Sequence, residues 1–309
     1  MRKLIPFLCL LLAGGRALLA AGNYSLQIGD ITWIGSPGGY NCFSSIAYPN
    51  TVNFTITKEK GGNRPYAVTA GPSGNTGTYT RQLSLGASRL NYQLYTSSSM
   101  AFVLEAPPTA NANQVISGSS NAKKGTIIPL AFTFYIPPNQ LVPPGVYSDG
   151  VSVSVYRNYS DRNSPQDTQN VTISAFVAPV AILSLVPSGS GFNSSSTSQT
   201  MDFGTLAQGK VKTCDLLVRK NTACTVTFSS DYHGVLKTTP ASAGDQVPYT
   251  CEVNGTLLNL TQTASISLPP GVSTSQDGTR LPVKITIGDL GNAAAGDYRD
   301  DITITVTVQ

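Results

Sequence analysis

Pro144-Gly-Val-Tyr-Ser-Asp-Gly-Val-Ser-Val-Ser-Val155 and Ala295-Gly-Asp-Tyr-Arg-Asp-Asp-Ile-Thr-Ile-Thr-Val306 are two copies of one pattern, 151 residues apart. Gly145, Tyr147 and Asp149 recur as Gly296, Tyr298 and Asp300. Beyond each Gly-x-Tyr-x-Asp, β-branched residues alternate with Ser or Thr: Val151, Val153 and Val155 in the first copy, Ile302, Ile304 and Val306 in the second. A period of two predicts a strand with one buried face. Upstream, Pro129 precedes the strand-like run 130–136 as Pro282 precedes 283–287. A strand, a turn and a tyrosine opening the next strand make a tyrosine corner, in which the phenol hydrogen-bonds to the backbone just upstream in a Greek-key sandwich. Tyr147 and Tyr298 are therefore structural, and proton donation is the weaker reading because the triplet serves the turn in both halves.

Working outward, further short runs lie between Gly, Pro, Asn and Ser clusters: 24–28, 52–56, 79–85, 90–95 and 171–177 in the first half, and 210–218, 224–228 and 247–253 in the second. Long helical periodicity is absent. The fold class is all-β, with two immunoglobulin-like Greek-key sandwiches. Residues 1–21 have basic Arg2 and Lys3, an apolar run at 4–13 and a small-residue end, which reads as a signal peptide. The run is too short to span a bilayer, and Cys9 within it is discarded with the leader. The expected division is a leader at 1–21, an N-terminal domain at 22–178 and a C-terminal domain at 179–309, since 288 of the 309 residues exceed what one core usually organises.

Losing Arg2, Lys3 and Arg16 with the leader leaves 17 of the 20 basic residues against 16 acidic ones, which gives no nucleic-acid footprint. Export makes Cys42, Cys214, Cys224 and Cys251 disulfide candidates with three possible connectivities. No cysteine pair has metal-site spacing, and neither a metal nor a cofactor is expected. His233 is the one histidine, so a nucleophilic hydrolase would lack its base and orienter. Acids are sparse and fall in turns, Asp149 and Asp300 as corner partners with Asp297 and Asp301 beside the second, which argues against a glycosidase pair. The expectation is no catalytic residue and no enzyme.

Arg81-Gln-Leu-Ser-Leu-Gly86, Leu90-Asn-Tyr-Gln-Leu-Tyr95 and Pro144-Gly-Val-Tyr-Ser-Asp149 together resemble the spore coat protein U domain, which is shared by subunits of archaic chaperone-usher pili. Asp202-Phe-Gly204, Val247-Pro-Tyr249, Val253-Asn-Gly255 and Gly296-Asp-Tyr-Arg-Asp300 look like a more divergent copy. Such domains carry a cysteine pair near their start, whereas the first half has Cys42 alone. Two of them in one exported chain resemble a pilus tip adhesin. The resemblance implies a C-terminal sandwich lacking its final strand, completed first by a periplasmic pilus chaperone and then by an adjacent subunit through strand addition, with an outer-membrane usher as a further partner and the cell surface as destination. In the first half, Val171, Ile173, Ala175 and Val177 form an alternating segment able to close that domain in cis. The start at 22–28 is a short strand, where ordinary subunits would carry a long donor segment, which fits a terminal position in the fibre. The alternative is a non-adhesive structural fibre or spore-coat-like protein.

For a tip adhesin, the contact surface belongs on the first domain, on loops that present apolar residues. Three stretches qualify: Trp33 and Ile34; Met100, Phe102, Val103 and Leu104 before two prolines; and Leu141 and Val142 in a proline-stiffened loop after Ile136. Against exposure stands the reading of Phe102 and Leu104 as a buried strand and of Leu141 and Val142 as a plug under the tyrosine corner. Lys58, Lys60, Arg64, Lys123 and Lys124 read as solvated loop charges, with a glycan or anionic-surface role as the alternative. The receptor or surface bound is left undefined.

Overall fold

The computed structural model describes residues 22–34, 38–158, 160, 164–238, 246–273 and 275–309. The leader expected at 1–21 lies outside the described residues. Eleven described strands precede Ala178: β1 (Tyr24–Gln27), β2 (Ile31–Thr32), β3 (Asn50–Lys58), β4 (Arg64–Ala70), β5 (Gln82–Leu85), β6 (Ser88–Asn91), β7 (Gln93–Tyr95), β8 (Ile116–Ser120), β9 (Ile127–Tyr135), β10 (Gly145–Tyr156) and β11 (Asp167–Val177). Ten follow it: β12 (Ala181–Pro187), β13 (Val211–Lys220), β14 (Cys224–Ser230), β15 (Val235–Thr238), β16 (Gln246–Val253), β17 (Thr256–Leu258), β18 (Ala264–Leu268), β19 (Thr279–Ile287), β20 (Tyr298–Arg299) and β21 (Ile302–Val308). Among the described residues no helix is long and apolar enough to cross a membrane.

Strands β1-β3-β9-β7 form one sheet, and β2-β11-β10-β4-β8 a second, to which the β5–β6 hairpin attaches through β10. Leu26, Ile56, Phe132 and Phe134 from the first sheet meet Val68, Val153, Val155 and Ile173 from the second in one core. After Ala178, β12-β13-β19-β16-β15-β20 form a third sheet with β17 on β16, and β18-β14-β21 a fourth. Their core joins Leu216, Val218 and Val283 to Val226 and Phe228. No sheet mixes described strands from the two sides of residues 178–180. Asn221 holds that connection, its Oδ1 accepting the Val180 N–H at 2.7 Å and its Nδ2 donating to the Ala178 carbonyl at 2.8 Å.

Pro129 and Pro282 do not stand before strands but inside β9 and β19. Proline has no N–H to give a ladder, so a strand tolerates it where a neighbour is missing. Pro129 is opposite Thr55 of β3, while β7 pairs only with residues 133–135 on the other side.

The duplicated segments become β10 and the β20–β21 pair, and their neighbours differ. Strand β10 pairs with β11 over the whole register from Gly145↔Val177 to Val155↔Asp167, and with β4 from Val153↔Ala70 to Tyr156↔Ala67. Strand β11 in turn runs parallel to β2 at Ile173↔Ile31. Side chains of β11 extend the closure to β1: Asp167 accepts the Leu26 N–H at 2.8 Å, and Gln169 donates to the Leu26 carbonyl at 2.6 Å and accepts the Ile28 N–H at 3.2 Å. In the second sandwich β21 pairs with β14 from Ile302↔Ser230 to Val308↔Cys224, and no described strand pairs with its other edge.

Candidate functional site

Both tyrosine corners form as the repeat predicts. The Tyr147 hydroxyl donates to the Pro143 carbonyl at 2.9 Å and the Tyr298 hydroxyl to the Ala294 carbonyl at 2.8 Å, each four residues upstream. The aspartate of each triplet has matching partners. Asp149 accepts the Asn75 N–H at 3.0 Å and the Tyr92 hydroxyl at 2.7 Å. Asp300 accepts the Tyr232 N–H at 3.1 Å and the hydroxyls of Ser230 and Tyr249, each at 2.5 Å. In each sandwich the carboxylate ties the loop after one strand, β4 or β14, to a tyrosine from elsewhere in the sandwich. Burial and then the hydrogen bond to the carboxylate push the Tyr92 and Tyr249 phenols well above their ordinary range. These clusters fix turns, and both phenols stay protonated.

The open edge of β21 faces the edge strand β12 across the second sandwich. Ala181, Leu183 and Leu185 of β12 and Ile302, Ile304 and Val306 of β21 pack on the core yet stay half-buried. Val308, at the end of the same row, is 39% exposed. At the matching positions of the first sandwich Val151, Val153 and Val155 are buried, because β10 is flanked on both sides, by β11 with Val171 opposite Val151 and by β4 with Ala70 and Val68 opposite Val153 and Val155. The two rows of half-covered aliphatic side chains on β12 and β21 thus line one apolar flank, and the unpaired backbone edge of β21 is a template for another strand. Each large aliphatic side chain that a ligand strand buried there would contribute about 1.5–3 kcal/mol.

The residues expected on adhesive loops separate into two groups. Trp33, Leu104 and Val142 are buried and belong to the core, which corrects the expectation of exposure for these three. Trp33 packs edge-on against Tyr40 at 5.8 Å and donates its indole N–H to the Tyr48 carbonyl at 3.2 Å. The Leu104 N–H pairs with the Leu94 carbonyl, so this residue continues the sheet inward. Leu141 packs against the core beside Val142, where the loop plugs the sandwich beneath the Tyr147 corner. Ile34, 79% exposed, and Phe102, 45% exposed, do reach solvent, with Met100 and Val103 half-exposed beside Phe102. Ile34 lies toward the end of the domain that leads into residues 178–180, since its neighbour Trp33 bonds to Ser174 of β11. Two hollows, of about 190 and 180 Å³, flank this region, one lined by Ile28, Ile34 and Val52 and the other by Trp33, Tyr40 and Ile46. Both are smaller than pockets that hold small molecules, roughly 300–1,000 Å³.

The four cysteines are free, buried thiols, which corrects the disulfide expectation for this structure. Cys214 on β13 and Cys251 on β16 are separated by β19, where they face Val283 and Ile285. With one strand between them and a two-residue offset along it, their Cα atoms stand about 11–12 Å apart, beyond the roughly 7 Å a disulfide spans. Cys224 belongs to the other sheet, on β14, and Cys42 lies before β3 in the first sandwich. Burial pushes the thiols up, Cys42 and Cys214 to about 11 and Cys251 to about 12. Among the described residues no group of three or more His, Cys, Asp or Glu is placed to hold a metal ion.

The basic residues show what the sequence reading missed. Lys58 is not a solvated charge but fully buried, its ammonium donating to the carbonyls of Gly62 at 2.5 Å, Ser120 at 2.7 Å and Ala122 at 2.8 Å. Nothing in the spacing of Lys58, Lys60 and Arg64 marks Lys58 apart. The available signal is that it ends the alternating strand β3 on an inward-facing position, in phase with Phe54 and Ile56.

Comparison with known proteins agrees with the first half of this picture. Residues 41–154 match the model of the Spore Coat Protein U domain, a stretch that contains all three first-half motifs quoted above and ends before the second sandwich. No curated protein matches the sequence. Among solved structures, a chain of the CsuC–CsuE chaperone–tip adhesion subunit pre-assembly complex from archaic chaperone-usher Csu pili of Acinetobacter baumannii is similar over 91% of this chain and 99% of that one, at 13% identity and a TM-score of 0.45. The CupB6 tip adhesin from Pseudomonas aeruginosa is similar over 92% of this chain and 94% of its own, at 10% identity and a TM-score of 0.36. CfaE, the adhesive subunit of CFA/I fimbria of enterotoxigenic Escherichia coli, is similar over 92% and 81%, at 14% identity and a TM-score of 0.31.

Proposed function

We propose that this chain is the tip adhesin subunit of a chaperone-usher pilus. Residues 22–178 form the unit that presents the contact surface, and residues 179–309 the unit that docks to the rest of the fibre. The observation that carries this reading is the contrast in edge closure. The first sandwich holds β11 between β10 and β2, whereas the second leaves β12 and β21 as the two walls of an apolar groove. A strand from another polypeptide fills that groove, supplied by a periplasmic chaperone during export and by the adjacent subunit in the fibre, with the outer-membrane usher exchanging one for the other. The Spore Coat Protein U match over residues 41–154 supports the reading, because subunits of archaic chaperone-usher pili share this domain. The role is binding rather than catalysis, and Ile34, Met100, Phe102 and Val103 remain candidate contacts at the surface.

Immunogold labelling of fibres tests the assignment. Label confined to fibre ends, together with co-purification of the chain with a periplasmic chaperone, is the expected result. Label along the whole shaft would make the chain a structural subunit without a terminal role.

A further inference from the structure

Strand β11 leads from Asp167 to Val177 and on into residues 178–180, so its Asp167 end is the end of the first sandwich away from that connection. Eleven residues of antiparallel strand separate the two ends by about 34 Å. At the far end lie the β3–β4 loop, residues 59–63, and the β8–β9 loop, residues 121–126. Lys58 staples them: its ammonium bonds Gly62 on one loop and Ser120 and Ala122 on the other, while its backbone pairs with Gly125 and Thr126. These carbonyls take all three donors of the ammonium, and among the described residues no carboxylate pairs with it.

Around this staple the ammonium groups of Lys60, Lys123 and Lys124 are exposed and have no hydrogen-bond or ion-pair partner among the described residues. Arg64 is half-exposed, opposite Ser120 on the neighbouring strand, with its Nε donating to the Gly61 carbonyl at 3.1 Å. The exposed amides of Asn63 and Asn121 sit among them. The nearby acids, Glu59 bonded to the Ser25 hydroxyl at 2.6 Å and Asp167 to the Leu26 N–H, keep their charge but form no ion pair with these lysines among the described residues. Two sequence stretches some 60 residues apart are thus fixed side by side as one cationic surface, while the near-neutral chain carries little net charge to repel an anionic ligand elsewhere.

We propose that this end of the first sandwich docks an anionic polysaccharide, a glycan chain bearing carboxylates or sulfates. Several ammonium groups spread over two loops suit a repeating polyanion, and the interspersed amides suit its hydroxyls. Among the described residues of the two loops no large apolar or aromatic side chain is exposed to enter a bilayer or stack on a base, apart from Ile127 at the start of β9. This site deepens the adhesin reading and rests on it for its biological setting, but its chemistry is measured separately.

The test uses the purified full chain on immobilised heparin, with dextran sulfate and neutral dextran as soluble competitors and with phosphatidylserine vesicles and duplex DNA as other polyanions. Retention that dextran sulfate abolishes and neutral dextran leaves intact is the expected result. The triple variant K60E/K123E/K124E should bind at least about 10-fold more weakly at low ionic strength, with the difference shrinking as salt screens the surface, while K212E on the second sandwich binds as the wild type does. Melting temperature checks the fold of the triple variant, and K60Q/K123Q/K124Q replaces it if charge reversal prevents folding. Unchanged binding by the triple variant, no retention of the wild-type chain, or tighter binding to the vesicles or to DNA than to dextran sulfate overturns the site. A triple variant that reaches fibre ends and has lost the polyanion supports both the site and the adhesin role. One that reaches fibre ends and binds as before removes this site and leaves the adhesin role standing.

Discussion

Strands β10 and β21 carry the same alternation, yet Val151, Val153 and Val155 are buried while Ile302, Ile304 and Val306 keep part of their surface. The turn upstream shows the same contrast: Tyr147 is buried and Tyr298 half-buried, although both make the same bond to the carbonyl four residues back. What differs is the neighbour. In the first sandwich β11 pairs with β10 over eleven residue pairs, runs parallel to β2 and bonds β1 through Asp167 and Gln169. In the second, the corresponding flank is open among the described residues. One sequence pattern thus serves a strand paired on both sides in one sandwich and a strand with an unpaired edge among the described residues in the other, and the pattern alone does not decide which.

The comparison breaks most visibly with one substitution made in both halves. Ile173→Asp puts a charge without a partner into the closed core and should cost about 4 kcal/mol or more, enough to unfold the first sandwich in thermal or urea denaturation. Ile304→Asp on the open flank should cost no more than about 1–2 kcal/mol in the chain alone, because the side chain keeps contact with water, yet abolish co-purification with the chaperone. Equal destabilisation at the two sites would mean that the flank of β21 is closed.

A smaller effect sharpens the same contrast. Tyr147→Phe leaves the half-buried Pro143 carbonyl without its phenol partner, at a cost of about 1–2 kcal/mol. Tyr298→Phe leaves the Ala294 carbonyl within reach of water and should cost less than about 1 kcal/mol. Urea midpoints of the two variants check the order.

Much of this architecture is legible in the alternation of β-branched residues. The strands β3, β11, β14, β16, β19 and β21 all overlap runs that the sequence marks, because each alternates between a face on a core and a face toward solvent. Strand β4 escapes notice for the opposite reason. Tyr66, Ala67, Val68, Thr69 and Ala70 are consecutively buried, since a small cluster of Ala67, Ala110, Val115 and Tyr156 covers its second face. Two-sided burial erases the period of two. Strand β8, Ile116-Ser-Gly-Ser-Ser120, is too polar to announce itself and exists as the partner of β4. At the surface, residue type predicted exposure poorly: Trp33, Leu104 and Val142 fill the core, whereas Lys58, the residue least expected inside, is buried because three carbonyls converge on it. Such convergence joins loops far apart in sequence and leaves no local signature.

The groove itself is tested most directly by supplying the strand it lacks. The full chain extended at its C-terminus by a flexible linker and a copy of Val171-Thr-Ile-Ser-Ala-Phe-Val177 is compared in thermal denaturation with the same extension in scrambled order. Burying three or four aliphatic side chains against β12 and β21 should raise the melting of the second sandwich by about 10 °C or more, with new hydrogen-exchange protection at the β21 amides that point away from β14. An unchanged melting temperature, with those outward amides already protected before the strand is added, would contradict an open acceptor groove.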